Sequence, residues 1–292
     1  MADIILRQPE PIRLTNASDD DALIDLWLKD RASGTQEGYS ADIAEFREYV
    51  GVNLRGLRLE ELHAYAEFLM QKELKVNTRK RKLSAVKSLL TFGHDVGYLQ
   101  FNVGKAIRLP KKKDTLAQRL LSEEDILKII TLEPLPRNQI ILRVMYVTGG
   151  RVSELVGASW GDLQAREEGG QITLFGKGEK TRQVLLPERT WRDLQSLRGE
   201  AKDDDPLFVS KKGSRLTRSQ MWRIVKDAAK RAGVNWGASP HWLRHAHASH
   251  AIERGANMAL VRDTLGHGSV AVTNQYVHAR PGESSSEKLV IN

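Results

Sequence analysis

Ser239-Pro240-His241-Trp242-Leu243-Arg244 has the form of a helix start, with Ser239 at the N-cap and Pro240 in the first turn. On such a helix His241 and Arg244, three positions apart, stand side by side. A helix N-terminus presents unpaired backbone N–H groups and the positive end of the peptide dipole, so this face suits a phosphate. Taken alone, the pair reads as a structural histidine beside a surface arginine. What it means depends on the residues around it.

Downstream, His241, His245, His247 and His250 are four of the eight histidines in the chain. Two of their spacings place imidazoles on one helical face, which raises a metal reading. With no cysteine and no nearby acidic residue until Glu253, packing explains His247 and His250 as readily. Leu265-Gly266-His267 closes a following helix, and Tyr276 lies nine residues after His267 on the next. Helices are expected at about 217–232, 240–254, 258–265 and 269–278.

Upstream, Thr148-Gly149-Gly150-Arg151-Val152-Ser153-Glu154-Leu155 places an arginine just after a Gly-Gly break, where an apolar helix at about 138–148 meets another helical run. Such a junction can aim a side chain inward. Gln171 to Phe175 and Thr181 to Leu186 are β-prone runs flanking a Gly-Lys-Gly-Glu-Lys turn, so Lys177 belongs to a hairpin, where solvent is the default surrounding for a lysine. Ser122, followed by Glu123, Glu124 and Asp125, reads as the capped first helix of a domain.

Before residue 109 the pattern is helical throughout. Leu23, Leu26 and Leu28, then Ile43, Phe46 and Val50, then Leu62, Tyr65, Phe68 and Leu69 mark three helices. A fourth follows Thr78, with Leu83, Val86, Leu89 and Leu90 on one stripe and Arg79, Lys80, Arg81, Lys82 and Lys87 over much of the rest. Residues 1–71 carry 7 basic against 14 acidic side chains, whereas residues 72–113 carry 12 basic against only Glu73 and Asp95. A charge run by itself is usually a solvated face. Its continuation through Lys105, Arg108 and Lys111, Lys112 and Lys113 points to a surface that contacts phosphates. Leu109 to Arg119, with Pro110 and three lysines, reads as a basic linker.

A chain of 292 residues, 40% hydrophobic, can bury a sizeable core and is long enough for two domains. The lack of cysteine excludes disulfides, thiolate zinc sites and cysteine nucleophiles and suits a reducing cytoplasm. No signal-peptide pattern and no apolar run of about 18 residues is present, so neither export nor a membrane partner is expected. The net charge of +8 favours an anionic partner.

In this order and spacing, Arg151, Lys177, His241-x-x-Arg244, Leu265-Gly266-His267 and Tyr276 resemble the tyrosine recombinase (phage integrase) family, nearer to its Xer-type two-domain members than to larger integrases. The resemblance covers about 120–280; before that it rests on the helical layout alone. The sequence departs from the commonest pattern at Gly150, Ala246 and His247, none of which removes a reactive group.

The resemblance implies Tyr276 as nucleophile, Arg151 and Arg244 as holders of the scissile phosphate, Lys177 as proton donor to the leaving 5′ oxygen, His241 and His267 as aids to proton movement and phosphate binding, and Glu154 as a supporting acid. It implies a mainly α fold with a small β-sheet or hairpin in the catalytic domain. The expected organisation is a flexible N-terminus (1–18), a helical, SAM-like core-binding domain (19–108), the linker (109–119), the catalytic domain (120–280) and a C-terminal tail (281–292), forming a C-shaped clamp around double-stranded DNA. With about 20 residues before the first helix, no arm-binding domain is expected.

The expected activity is cutting and rejoining of DNA strands through a 3′-phosphotyrosyl intermediate and a Holliday junction, without metal, nucleotide or other cofactor. Its setting would be dimer resolution, integration, excision or transposon resolution, on a homotetramer, alone or with a related recombinase, at the cytoplasmic nucleoid. Leu289-Val290-Ile291 could dock on a neighbouring subunit or simply fray. Two rivals remain: a type IB topoisomerase-like relaxing enzyme, and a non-catalytic DNA-binding regulator of the same fold.

Overall fold

The computed structural model describes residues 14–110, 119–176, 181–234 and 237–266, with Ser33 described in its backbone alone. The expected helix at 269–278, the tail, most of the linker and the first 13 residues lie outside these. The chain separates into two compact units, 1–113 and 114–292.

The first unit is helical: α1 (Asp20–Lys29), α2 (Ser33–Val50), α3 (Leu59–Gln71) and α4 (Val76–Asp95). The stripes expected from the sequence converge on one core, except that Leu26 faces solvent and Ile24 and Trp27 join Leu23 on the buried face of α1. Leu23, Trp27, Ile43, Phe46, Leu62, Tyr65, Leu69, Val86, Leu89 and Leu90 are all buried there. Burial of this many large apolar side chains, each contributing about 1.5–3 kcal/mol, lets short helices stand that would be marginal alone. Helix α4 begins at Val76, two residues before the expected start.

The second unit runs α5 (Glu123–Thr131), α6 (Pro136–Thr148), α7 (Val152–Gly157), β1 (Leu163–Ala165), β2 (Gly170–Phe175), β3 (Thr181–Leu186), α8 (Glu188–Gln195), α9 (Arg218–Arg231), α10 (Pro240–Glu253) and α11 (Met258–Leu265). Ser122 caps α5 as expected: its hydroxyl accepts from Asp125 N at 3.0 Å and its N–H donates to the Asp125 carboxylate at 3.1 Å. Ser239 holds the cap position of α10 with extended backbone but makes no side-chain cap bond. The strands form a three-stranded antiparallel sheet in the order β1-β2-β3, with Phe175 opposite Thr181. The fold is thus mainly α with a small sheet, as the sequence implies; β1 and α8 were not foreseen.

The core of this unit gathers Ile129, Ile141, Leu142, Leu155, Ile172, Leu174, Leu207, Met221 and Leu243 from helices and strands alike. Among the described residues no helix is long and apolar enough to cross a membrane.

Candidate active site

The site is built around the end of α6. Thr148 Oγ1 donates to Val144 O at 2.7 Å and accepts from Gly150 N at 3.1 Å, closing the helix. Gly149 follows with φ of 56°, and a Cβ there would lie 2.5 Å from Leu265 Cδ2. Only glycine satisfies both the left-handed backbone and that close approach. The chain then turns into α7 with Arg151 at its N-cap.

Arg151 is fastened to Glu154, one turn on. Its N–H meets Glu154 Oε2 and its Nη1 meets Oε1, both at 2.7 Å. Glu154 is buried, and Arg182 from β3 approaches the same carboxylate side-on, Nη1 to Oε1 at 3.0 Å and Nη2 to Oε2 at 2.7 Å. Burial pushes the Glu154 carboxyl up, but the bonds from Arg182 and Arg151 outweigh it and hold the pKa below the ordinary value.

Arg244, only 6% exposed on α10, donates from Nη1 to Gly149 O at 2.6 Å and from Nη2 to Leu265 O at 2.7 Å. Arg182 Nε donates to Thr264 O at 2.7 Å, and Arg151 Nη2 to Gly266 O at 3.1 Å. Three successive carbonyls at the end of α11 therefore accept from three different arginines. A helix C-terminus carries the negative end of the dipole and leaves its last carbonyls unsatisfied, so it can gather cations that would otherwise repel one another. Gly266, with φ of 63°, lets the chain turn away after that helix.

His241 belongs to the same cluster. The residue is exposed, and partial desolvation of its ring, followed by the positive charges of Arg244 and Arg151, lowers its pKa and biases it to the neutral form. His247 does something else: its Nδ1 bonds to Tyr146 O at 2.9 Å, and burial drives its pKa down to about 4 despite that bond. His250 Nδ1 lies 3.0 Å from the Tyr146 hydroxyl. These two histidines pack α10 on α6, in line with the packing reading. Among the described residues no three histidine or acidic side chains are grouped to hold a metal.

Of the residues singled out from sequence, Arg151, Glu154, His241 and Arg244 come together here, whereas Lys177, His267 and Tyr276 lie outside the described residues. Arg182 was missed. The signal was present, because Arg182 shares its strand face with the buried Val184 and Leu186, an odd place for an unpaired arginine.

The basic run on α4 does not form one outward surface. Lys82 is buried and pairs with Asp42 Oδ1 at 3.1 Å and Glu45 Oε2 at 3.2 Å. Arg81 pairs with the other oxygen of Asp42 and donates to Gly38 O at 3.2 Å. Lys87 Nζ donates to Ile107 O at 2.5 Å. Lys82 leads the helical face of Val86 and Leu89, so helix phase turns it inward, where Asp42 and Glu45 satisfy it. Lys80 is exposed and Arg79 half-buried; Lys111, Lys112 and Lys113 lie outside the described residues.

Residues 119–283 match the model of the phage integrase family. The tyrosine recombinase XerD of Pseudomonas aeruginosa is 31% identical over 269 residues, covering 87% of this chain and 89% of that protein. Among solved structures, the XerH site-specific recombinase bound to its difH substrate in a pre-cleavage complex superposes with a TM-score of 0.69 at 21% identity, over 94% of this chain and 90% of that one. A lambda integrase tetramer bound to a Holliday junction gives 0.68 at 17% identity, over 87% and 79%. At these identities the structural likeness is one of fold.

Proposed function

The chain belongs to the phage integrase family of tyrosine recombinases, and from that premise we propose that it exchanges strands between two DNA duplexes at a specific site. The observation that carries the reading is the meeting of Arg151 and Arg244 at the end of α11 with His241 beside them. Arg151 and Arg182 share the carboxylate of Glu154, and Arg244 donates to the carbonyls of Gly149 and Leu265, so three guanidiniums are held close together. A phosphodiester repels nucleophiles, and its attacked state places more charge on the non-bridging oxygens. Fixed guanidiniums in a partly desolvated site stabilise that state.

In the proposed cycle the Tyr276 oxygen attacks the scissile phosphorus, a 3′-phosphotyrosyl bond forms, and the bond to the 5′ oxygen breaks. Lys177 gives that leaving oxygen its proton, while the neutral His241 and His267 serve phosphate binding and proton movement. The new ester has about the energy of the old, so the 5′ hydroxyl of a partner strand reverses the step without ATP. Arg151 and Arg244 supply the charge that a metal ion provides in other phosphoryl transfers, and the reaction as proposed calls on no metal.

Exchange between two duplexes requires four cuts and passes through a Holliday junction, which fits a tetramer assembled on DNA in the cytoplasm. Exposed cations such as Lys80 would lie on phosphates of the duplex. Relaxation of supercoiled DNA without a specific site is not expected of such an enzyme.

A library of nicked duplexes with random cores tests the reading. Wild-type protein is expected to form a detergent-stable covalent adduct with a subset of sequences, and Tyr276→Phe none; an equal adduct from the variant would remove Tyr276 as the nucleophile.

A further inference from the structure

Arg182 is a third guanidinium in a cluster whose proposed chemistry uses two. Its Nε, Nη1 and Nη2 engage Thr264 O and the two oxygens of Glu154. Its side chain is 10% exposed, so it is poorly placed to meet a phosphate itself. Those contacts have a common neighbour. The Arg151 guanidinium donates to Glu154 Oε1 and to Gly266 O, and Arg182 holds both the carboxylate and the 264–266 turn.

We propose that Arg182 is a positioning residue: it fixes the plane of Glu154 and the end of α11, and through them the direction in which Arg151 points. A carboxylate held by one arginine can rotate, whereas one met side-on by a second guanidinium is fixed in plane. A lysine could not substitute, because a single ammonium cannot bridge Thr264 O and both carboxylate oxygens with the geometry of a planar fork. Arg182 also lies five residues after Lys177 on the chain, so its effect could in principle reach the proton donor instead; the test separates the two.

The inference rests on the recombinase reading, and its test uses the duplex recovered by wild-type protein from the nicked library. Arg182→Gln and Arg182→Lys in the full chain are expected to bind this duplex within a few-fold of wild type and to cleave it about 10²-fold more slowly in a single turnover, the scale of a misplaced catalytic group. Thermal unfolding identifies a variant that has lost its fold; should Arg182→Gln do so, Arg182→Lys carries the test.

A second duplex replaces the scissile 5′ oxygen with sulfur. On it the Tyr276–phosphorus bond forms as the phosphorus–sulfur bond breaks, and the electron pair leaves as a thiolate that needs no proton. Loss of a proton donor is then suppressed, and loss of phosphate stabilisation is not. Lys177→Ala is expected to recover on the sulfur duplex and the Arg182 variants to stay slow. Recovery of the Arg182 variants would move their effect to proton delivery and overturn the assignment, as would unaltered cleavage of the oxygen duplex by folded variants. A wild-type protein that forms no adduct with any sequence would count against the recombinase reading itself, and the inference would fall with it.

Discussion

Each unit of this protein buries a carboxylate between two cations, and the two clusters are built to opposite ends. In the first unit Asp42 takes Arg81 and Lys82, and Glu45 takes Lys82 again and, nearer the surface, Lys72, so each buried charge there meets a charge of opposite sign. In the second, among the described residues, Glu154 meets Arg151 and Arg182, while the buried Arg244 donates to the backbone carbonyls of Gly149 and Leu265. A matched cluster is a cross-link between helices. One gathered by backbone carbonyls at a helix C-terminus suits an anion, as the proposed function requires.

The largest effect that should divide the two is on stability. Removing one member of a buried pair typically costs about 3–5 kcal/mol, because its partner is left charged and unsatisfied. Asp42→Ala is expected to destabilise the first unit by this amount, read from urea unfolding with hydrogen exchange at residues 20–95. Replacing Asp42 and Lys82 together by leucine should recover most of the loss, since an apolar pair of similar volume leaves no buried charge without a partner at these two positions. Failure of the double variant to recover would show that the first cluster, too, does more than hold helices together.

In the second unit the measure is rate. Arg244→Ala or Arg151→Ala is expected to slow single-turnover cleavage by about 10² to 10³, the usual cost of one preorganised donor to a developing oxyanion. Glu154→Gln should fall on the same side, with the chain folded and cleavage slow, because it frees Arg151. A variant that lost stability and kept its rate would make this cluster a cross-link like the first.

How far such a difference can be read in sequence depends on the distance between partners. Arg151 and Glu154 lie one turn apart after a Gly-Gly break, and His241 and Arg244 one turn apart after Ser239-Pro240, so local helix geometry presents both pairs. The helices of the first unit were legible from apolar stripes. Lys82 was misread because its partner Asp42 is forty residues away, and nothing local states that an inward-phased lysine will find a carboxylate. The strand face of Arg182 was legible, but its partners, 28 and 82 residues off, were not. Helix α8 has only Trp191 and Leu194 as large apolar residues, and β1 is three residues long, so neither leaves a period to detect.

A titrating neighbour sharpens the comparison at a smaller scale. His247 packs beside the second cluster, and burial, aided by Arg244, lowers its pKa from the ordinary 6.5 to about 4. Between those values the unfolded chain takes up a proton that the folded chain refuses. Stability is therefore whole above about pH 6.5 and is lost as the pH falls toward 4, by at most roughly 3 kcal/mol. His247→Gln, with no ring to protonate, is expected to lose less between pH 7 and pH 5 in urea unfolding. Equal losses would mean that His247 takes up its proton in the folded chain as readily as in the unfolded one.

The smallest effect concerns cations of α4 that share a sequence run but not a surface. Lys80 is exposed, and in the proposed complex its charge is available to phosphates; Lys82 is neutralised inside the first unit. Each phosphate contact releases about 0.9 of a counterion, so the logarithm of the binding constant falls with the logarithm of salt by a slope that counts contacts. Lys80→Ala should therefore reduce that slope by about one and weaken binding at low salt. Lys82→Met should leave the slope unchanged while lowering stability, because its ammonium belongs to Asp42 and Glu45. If instead both substitutions reduce the slope alike, the matched cluster opens on DNA, and the distinction between cross-link and receptor becomes one of state rather than of construction.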